Sequence, residues 1–253
     1  MAIVAVDSQV RSSTPTLPGR RYDHRFFSAM SILVLATVFV GFGPTYYWAG
    51  LVRAPLPSPI IHLHGAVFTC WTLLLVLQTT LVSARRVDLH RRLGIAGFCL
   101  AGLMVVLGLS AALNSLENGR GRSGLDPRTF FVVPFTGILT FTVLIFCAMR
   151  WRKDPAAHKR FVLLATVALL TAAFARFHLP FLRGNVIHAM LASDLFILFL
   201  ALYDYWSLRK LHRVTLFAGA FLIAAQFTLL FIARTSPWLN FAGWVRTHAT
   251  WLK

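Results

Sequence analysis

Seven apolar stretches constrain this chain more than any motif in it. They lie near residues 26–51, 60–83, 93–115, 129–150, 161–178, 186–207 and 215–233. A hydrocarbon core takes roughly 20 apolar residues as helix, and each stretch is that long or nearly so. Backbone N–H and C=O groups cannot stay unpaired in lipid, so each stretch reads as a helix. The alternation of a β-barrel strand is missing: Val162 to Leu170 is apolar on every side. A 253-residue chain that is 57% hydrophobic is too apolar for a soluble domain. The expectation is an all-α, polytopic integral membrane bundle of seven transmembrane helices. Short loops should make consecutive helices antiparallel neighbours.

The net charge of +17 would suit a nucleic-acid binder, but its distribution points to topology instead. Of the 25 lysines and arginines, 16 fall on one side of the proposed spans. They sit in the N-terminal tail and in the loops after spans 2, 4 and 6. By the positive-inside rule that side, and the N-terminus with it, is cytoplasmic. The basic loops should also attract anionic lipid headgroups. The expected partners are therefore the bilayer and membrane-protein subunits, not nucleic acid. If the chain is bacterial, its place is the inner membrane.

Residues 1–25 read as a flexible cytoplasmic tail, without the basic start of a cleaved signal. Residues 26–233 form the membrane domain. In 234–253, Trp238, Phe241, Trp244, Val245 and Trp251-Leu252 recur at roughly helical spacing after Pro237. That pattern suits a helix on the outer interface. Cys70, Cys99 and Cys147 all lie within spans without CxxC spacing. They read as small apolar residues, not a disulfide or zinc framework.

Seven of the nine histidines fall in two layers, one near each face. His62, His64, His178 and His188 lie near the outer ends of spans. His90, His158 and His212 lie on the basic side, each in a similar tetrapeptide: Leu89-His90-Arg91-Arg92, Ala157-His158-Lys159-Arg160 and Leu211-His212-Arg213-Val214. This recurrence fits a diverged hairpin repeat, or simply the need for cations at cytoplasmic helix starts. Each of these three histidines is expected just before a helix. There, neighbouring cations and the positive helix end favour neutral imidazole. Neutral imidazole is the commonest metal ligand, and b-type haem takes axial histidines. His62 and His64, two residues apart, point about 200° apart on a helix, so both cannot face one ion. Interfacial histidines bonded to loops or lipid are the plainer alternative.

Polar residues inside spans are the other candidates. Intramembrane ionisable groups are costly and tend to pair or line a functional cavity. Asp194 and Arg176 are expected to pair between spans 5 and 6, or Asp194 serves a proton relay or binds a ligand. Asp204 should meet an arginine or lysine of a cytoplasmic loop. Gln78, Asn114 and Gln226 should hydrogen-bond between helices. Span 7 holds no lysine for a retinal Schiff base, and no Walker loop, GxSxG or HExxH occurs. No pair of spans shows the Gly/Pro interruptions typical of secondary transporters.

The run Ile61-His62-Leu63-His64-Gly65, with Gln78 and Leu89-His90-Arg91-Arg92-Leu93-Gly94, resembles an uncharacterised bacterial family of multi-span membrane proteins. So do Ala157-His158-Lys159-Arg160, Leu163-Leu164-Ala165-Thr166 and Tyr203-Asp204 followed by Leu211-His212. That layout is loosely similar to two-haem b-type membrane cytochromes, although here the histidines sit at span ends. The resemblance implies haem b or a transition metal as cofactor; binding no cofactor fits the residues equally.

Three functional classes follow. In a haem- or metal-binding redox protein, His62 or His64 with His178 or His188 would form an outer site, and two of His90, His158 and His212 an inner one. In a small-solute or ion carrier, Asp194, Arg176 and Gln226 would line a midplane path. The third class is a non-catalytic accessory or assembly subunit of a membrane complex. No nucleophile–base constellation points to an enzyme.

Overall fold

The computed structural model describes residues 22–49, 58–118, 125–182 and 185–248. Among them there are helices and no strands. The helices are α1 (Asp23–Phe42), α2 (Pro59–Ser83), α3 (Val87–Glu117), α4 (Pro127–Arg150), α5 (Pro155–Val167), α6 (Thr171–Phe174), α7 (Val186–Leu208), α8 (Arg213–Ile232) and α9 (Ser236–His248). Seven helical segments are long and apolar enough to cross a membrane, with α5 and α6 together making the fifth. The protein is an all-α, multi-pass membrane bundle. Most of the tail (1–21), the Gly119–Arg122 loop and Trp251-Leu252 lie outside the described residues.

Local chemistry sets the helix starts. Asp126 accepts from Arg128 N at 2.7 Å, and Asp154 accepts from Ala156 N at 2.9 Å and Ala157 N at 3.2 Å. Each is followed by a proline, which suits the first helical position because its missing N–H would have no partner there. Asn185 caps α7 through His188 N at 3.1 Å. α4 and α5 therefore begin two and six residues before their apolar runs do, and α3, without a side-chain cap, begins six before its own. His90 and His158 accordingly lie inside α3 and α5, not before them; only His212 precedes its helix.

α1 ends where Pro44, having no N–H, cannot continue an α-helical ladder. The chain widens into a π-helical turn over Gly43–Tyr47, closed by Trp48 N to Gly43 O at 3.0 Å.

Consecutive helices pack as neighbours from α1 to α5 and from α6 to α8. The fifth span is the central one: 56% of its apolar window is buried, against 17% for α2. Its core residues Leu164, Ala165 and Val167 are fully enclosed. Cys70 and Cys99 are on the outer surface, and all three cysteines are free. Trp238 of α9 is buried against Phe131 and Phe135 of α4, with its Nε1–H donating to Arg128 O at 2.9 Å. The far side of α9 stays exposed at Phe241 and Trp244.

The central span makes its closest approach to α1 at Gly41. A Cβ there would lie 2.8 Å from the Ala173 carbonyl carbon and 2.9 Å from its Cα, and these backbone atoms cannot swing aside. Gly41→Ala should cost about 1–3 kcal/mol by overpacking. Gly102, with nothing within 4 Å of its would-be Cβ, is the control: alanine there should be neutral or better by up to about 1 kcal/mol. Thermal melts of both variants in detergent check this, and equal midpoints would refute the close contact.

Candidate functional site

Two polar clusters are built around the central span. The first lies at the basic end. Arg160, 2% exposed, meets Asp204, 0% exposed. Its Nε donates to Oδ1 at 3.1 Å and Oδ2 at 3.3 Å, and Nη2 also donates to Oδ1. Nη1 donates to Ala156 O at 2.7 Å. Oδ2 of Asp204 further accepts from His212 N at 3.3 Å and from Thr215 Oγ1. Beside this pair, Asp23 accepts from Lys159 Nζ and from Tyr203 OH, each at 2.6 Å. The Tyr203 ring stacks on Phe26 at 3.9 Å, and Lys159 lies over Phe27. α1, α5, α7 and α8 are thus tied together at one end.

Asp204 therefore meets an arginine inside a span, not one in a loop. Apolar length alone starts the span at 161 and leaves Arg160 among the loop cations; α5 instead begins at Pro155. The Asp154 cap, with Pro155 at the first helical position, was the available signal that the helix begins earlier.

His212 belongs to this end of the bundle. Its Nδ1 accepts from Val214 N at 3.2 Å and caps α8, which requires Nδ1 to be unprotonated. Burial, and then the Arg160 guanidinium, hold its pKa below the ordinary value, which is about 6.5. The folded state thus favours neutral imidazole. The stability this contributes is present above about 6.5 and is lost as pH falls through the folded-state pKa. Melting temperature should drop with acidification over that window, and the drop should be smaller in His212→Asn, which keeps a capping oxygen. Identical pH profiles would rule His212 out as the cause.

The second cluster is in the membrane core. Asp194 of α7 is half-buried, two turns and more from either end of its helix. Its partner is Gln226 of α8: with the amide nitrogen turned toward it, the N–H groups reach Oδ1 at 2.9 Å and Oδ2 at 3.3 Å. The other end of the amide is 3.3 Å from Ser193 Oγ. Ser193 donates to Met190 O at 2.7 Å and lies 3.3 Å from Thr171 Oγ1.

Thr171 is where the fifth span resumes after an interruption. Leu169 N and Leu170 N bond three residues back, to Thr166 O and Val167 O, instead of four. No glycine or proline causes this. Thr166 Oγ1 donates to Val162 O at 2.9 Å while accepting from Trp71 Nε1 at 3.1 Å. Threonine bonding back to the i−4 carbonyl bends helices, and a mid-helix tightening of this kind often marks a functional hinge.

A cavity of about 30 Å³, more than the roughly 10–15 Å³ that one water needs, adjoins the interruption. Thr136, Gly137, Thr140, Ala168, Thr171 and Gln226 are among its lining residues. Pro134, one turn from Gly137, frees the Phe130 carbonyl in the same helix.

The expected Arg176–Asp194 pair is not formed. Arg176 lies beyond α6, donates to Ala172 O and stands 4.5 Å over the Phe42 ring. A helix facing is a matter of rotation about its axis, and Gln226 on α8 faces Asp194 instead. Gln78 bridges α2 to α3 through His90 O at 3.2 Å. Asn118 N and Nδ2 both donate to Asn114 O.

The histidines are dispersed. His62 is exposed beside Tyr46, whose hydroxyl donates to His62 O at 3.0 Å. His64 points the other way, with its ring 4.0 Å from Phe68 and its Nδ1 buried without a hydrogen-bond partner. His178 is exposed in the turn after α6. His188 Nδ1–H donates to Phe181 O at 2.6 Å and closes the loop before α7. His158 Nδ1–H donates to Ala148 O at 2.9 Å. His90 Nδ1, like that of His64, is buried without a partner. Among the described residues no three His, Cys, Asp or Glu side chains converge as a metal site would require. Compared with known protein families, curated proteins and solved structures, the chain has no match.

Proposed function

We propose that this protein is a carrier for a small ion or solute, with Asp194 and Gln226 at the centre of its path. The observation that carries this reading is the intramembrane carboxylate joined through Gln226, Ser193 and Thr171 to the interruption of the central span. Carboxylates at this depth characteristically mark ion pathways and proton relays. Irregular backbone at membrane depth is tolerated where it is buried in protein or lines a cavity, and this interruption does both. In a bacterial cell the protein would sit in the inner membrane with its basic face cytoplasmic.

Reconstitution into proteoliposomes tests the reading. Imposed gradients of protons, monovalent cations and small anions should reveal at least one flux above protein-free vesicles. Flux at background for every one of them overturns it.

One observation favours the redox reading: the partnerless Nδ1 atoms of His64 and His90, one toward each face. Such a nitrogen, when neutral, is competent to ligate haem iron or a transition metal. An absorption spectrum of the purified protein, oxidised and dithionite-reduced, with a metal assay, decides it. A Soret band lost in His64→Ala or His90→Ala would support ligation; a colourless, metal-free protein after expression with haem precursor would remove it.

A further inference from the structure

The hydrogen bonding of Gln226 depends on the charge of Asp194. A glutamine amide is nearly symmetric in shape, so its oxygen and nitrogen can exchange places by rotation. One end of this amide lies 2.9 Å from Asp194 Oδ1, and the other lies 3.3 Å from Ser193 Oγ. If nitrogen faces Asp194, both carboxylate oxygens accept N–H bonds, which suits the ionised form. If oxygen faces Asp194, two oxygens stand 2.9 Å apart, which requires a proton on the carboxyl. In that orientation Nε2 donates to Ser193 Oγ, whose own hydroxyl is free to donate to Met190 O at 2.7 Å.

We infer that Asp194 and Gln226 form a proton-binding switch, in which rotation of the amide follows protonation of the carboxylate and is passed through Ser193 to Thr171. The inference rests on the carrier reading of this site and names the proton as the ion it handles. A hydronium ion gives its proton to Oδ1 and leaves as water, the local charge goes from −1 to zero, and nothing is oxidised or reduced. The amide then turns its oxygen to the new O–H and its nitrogen to Ser193. On deprotonation the amide turns back, and its oxygen competes with Met190 O for the single Ser193 hydroxyl proton. Ser193 also bonds Thr171, so the exchange is felt where the central span resumes. The 2.9 Å oxygen–oxygen separation is a hydrogen-bond length, which a proton bridges and a hydrated ion does not.

The charged surroundings leave Asp194 to this partner. Among the described residues no Lys, Arg or His nitrogen lies within 4 Å of its carboxylate; the ion pairs there are Arg86–Asp88, Arg128–Asp126, Lys159–Asp23 and Arg160–Asp204. α8 carries one titratable residue, Arg213, at its basic end. The central span carries His158, Lys159 and Arg160 at that same end, with Arg176 just past its other end. On α7 itself, His188 is engaged with Phe181 O, and Tyr203 and Asp204 belong to the basic-end cluster.

An infrared titration of the detergent-purified full chain tests this without reading flux. Acidification should bring up the carbonyl stretch of a protonated carboxyl in the wild type. Of the eight side-chain carboxyls in the chain, Asp194 is read as the component present in wild type and missing from Asp194→Asn, and Gln226→Leu should keep that component at a shifted frequency because its hydrogen-bond partner is gone. A protonated-carboxyl band of the same intensity and shape in Asp194→Asn and wild type overturns the inference. If Asp194→Asn does not fold, a band of unchanged frequency in Gln226→Leu overturns it. Loss of the band's assignment to Asp194 with flux intact removes the proton alone. A correctly assigned band with every flux at background removes the carrier reading instead.

Discussion

Asp204→Ala will lower the unfolding free energy by about 3–5 kcal/mol, because it leaves the Arg160 guanidinium buried without a counter-charge. Both side chains are sealed from solvent, at 2% and 0% exposure. The carboxylate also holds His212 N and Thr215 Oγ1, so its removal strands two further donors at the start of α8. Arg160→Ala should cost a similar amount for the mirror-image reason. Replacing the two together, as Arg160→Met with Asp204→Leu, should recover most of the loss. Removing one member strands a charge, whereas an apolar pair of similar volume does not. Denaturation of all four proteins in the same detergent reads the result. Single variants within about 1 kcal/mol of wild type would show that the pair is not held as described; that margin is the ordinary effect of an unremarkable substitution.

Asp194→Asn should have the opposite profile: flux falls to the protein-free background while the melting temperature stays close to that of the wild type. The side chain is half-buried and its bond is to a neutral amide, so no buried charge is stranded. Asparagine can still meet Gln226 amide to amide, which preserves the packing of α7 on α8. It cannot carry a negative charge or take up a proton, so the path loses its central carboxylate. Gln226→Leu should reduce flux less severely, since the carboxylate remains but loses its link to Ser193. Asp204→Ala, if stable enough to reconstitute, should retain more flux than Asp194→Asn. Equal flux in Asp194→Asn and wild type would show that the path runs elsewhere. The expected pair of results would separate the two carboxylates of α7, less than three turns apart: one holds the bundle together and the other serves its path.

The redox arrangement of histidines shows why side-chain convergence was not legible. Two layers were visible in the chain because distance from a span end is a count along one helix. Convergence also depends on the rotation of each helix about its axis, which changes by about 100° per residue. His188 and His158 are turned toward carbonyls, His212 caps a helix, and His62 and His178 face outward.

What the amino-acid sequence determined by itself is the set of seven spans and their antiparallel order, with the basic residues concentrated at one end. Each follows from local quantities: apolar length, the clustering of lysine and arginine between spans, and loops too short to allow distant partners. The tertiary structure alone decided that Arg160 turns inward to Asp204 and that Asp194 faces Gln226 instead of Arg176. It also decided that the fifth span tightens between Val167 and Thr171, within an apolar run with no proline or glycine to announce it. These features arise from which faces of neighbouring helices meet. In a bundle whose helices are apolar nearly all round, the pattern along the chain does not specify that facing; contacts between single polar side chains do.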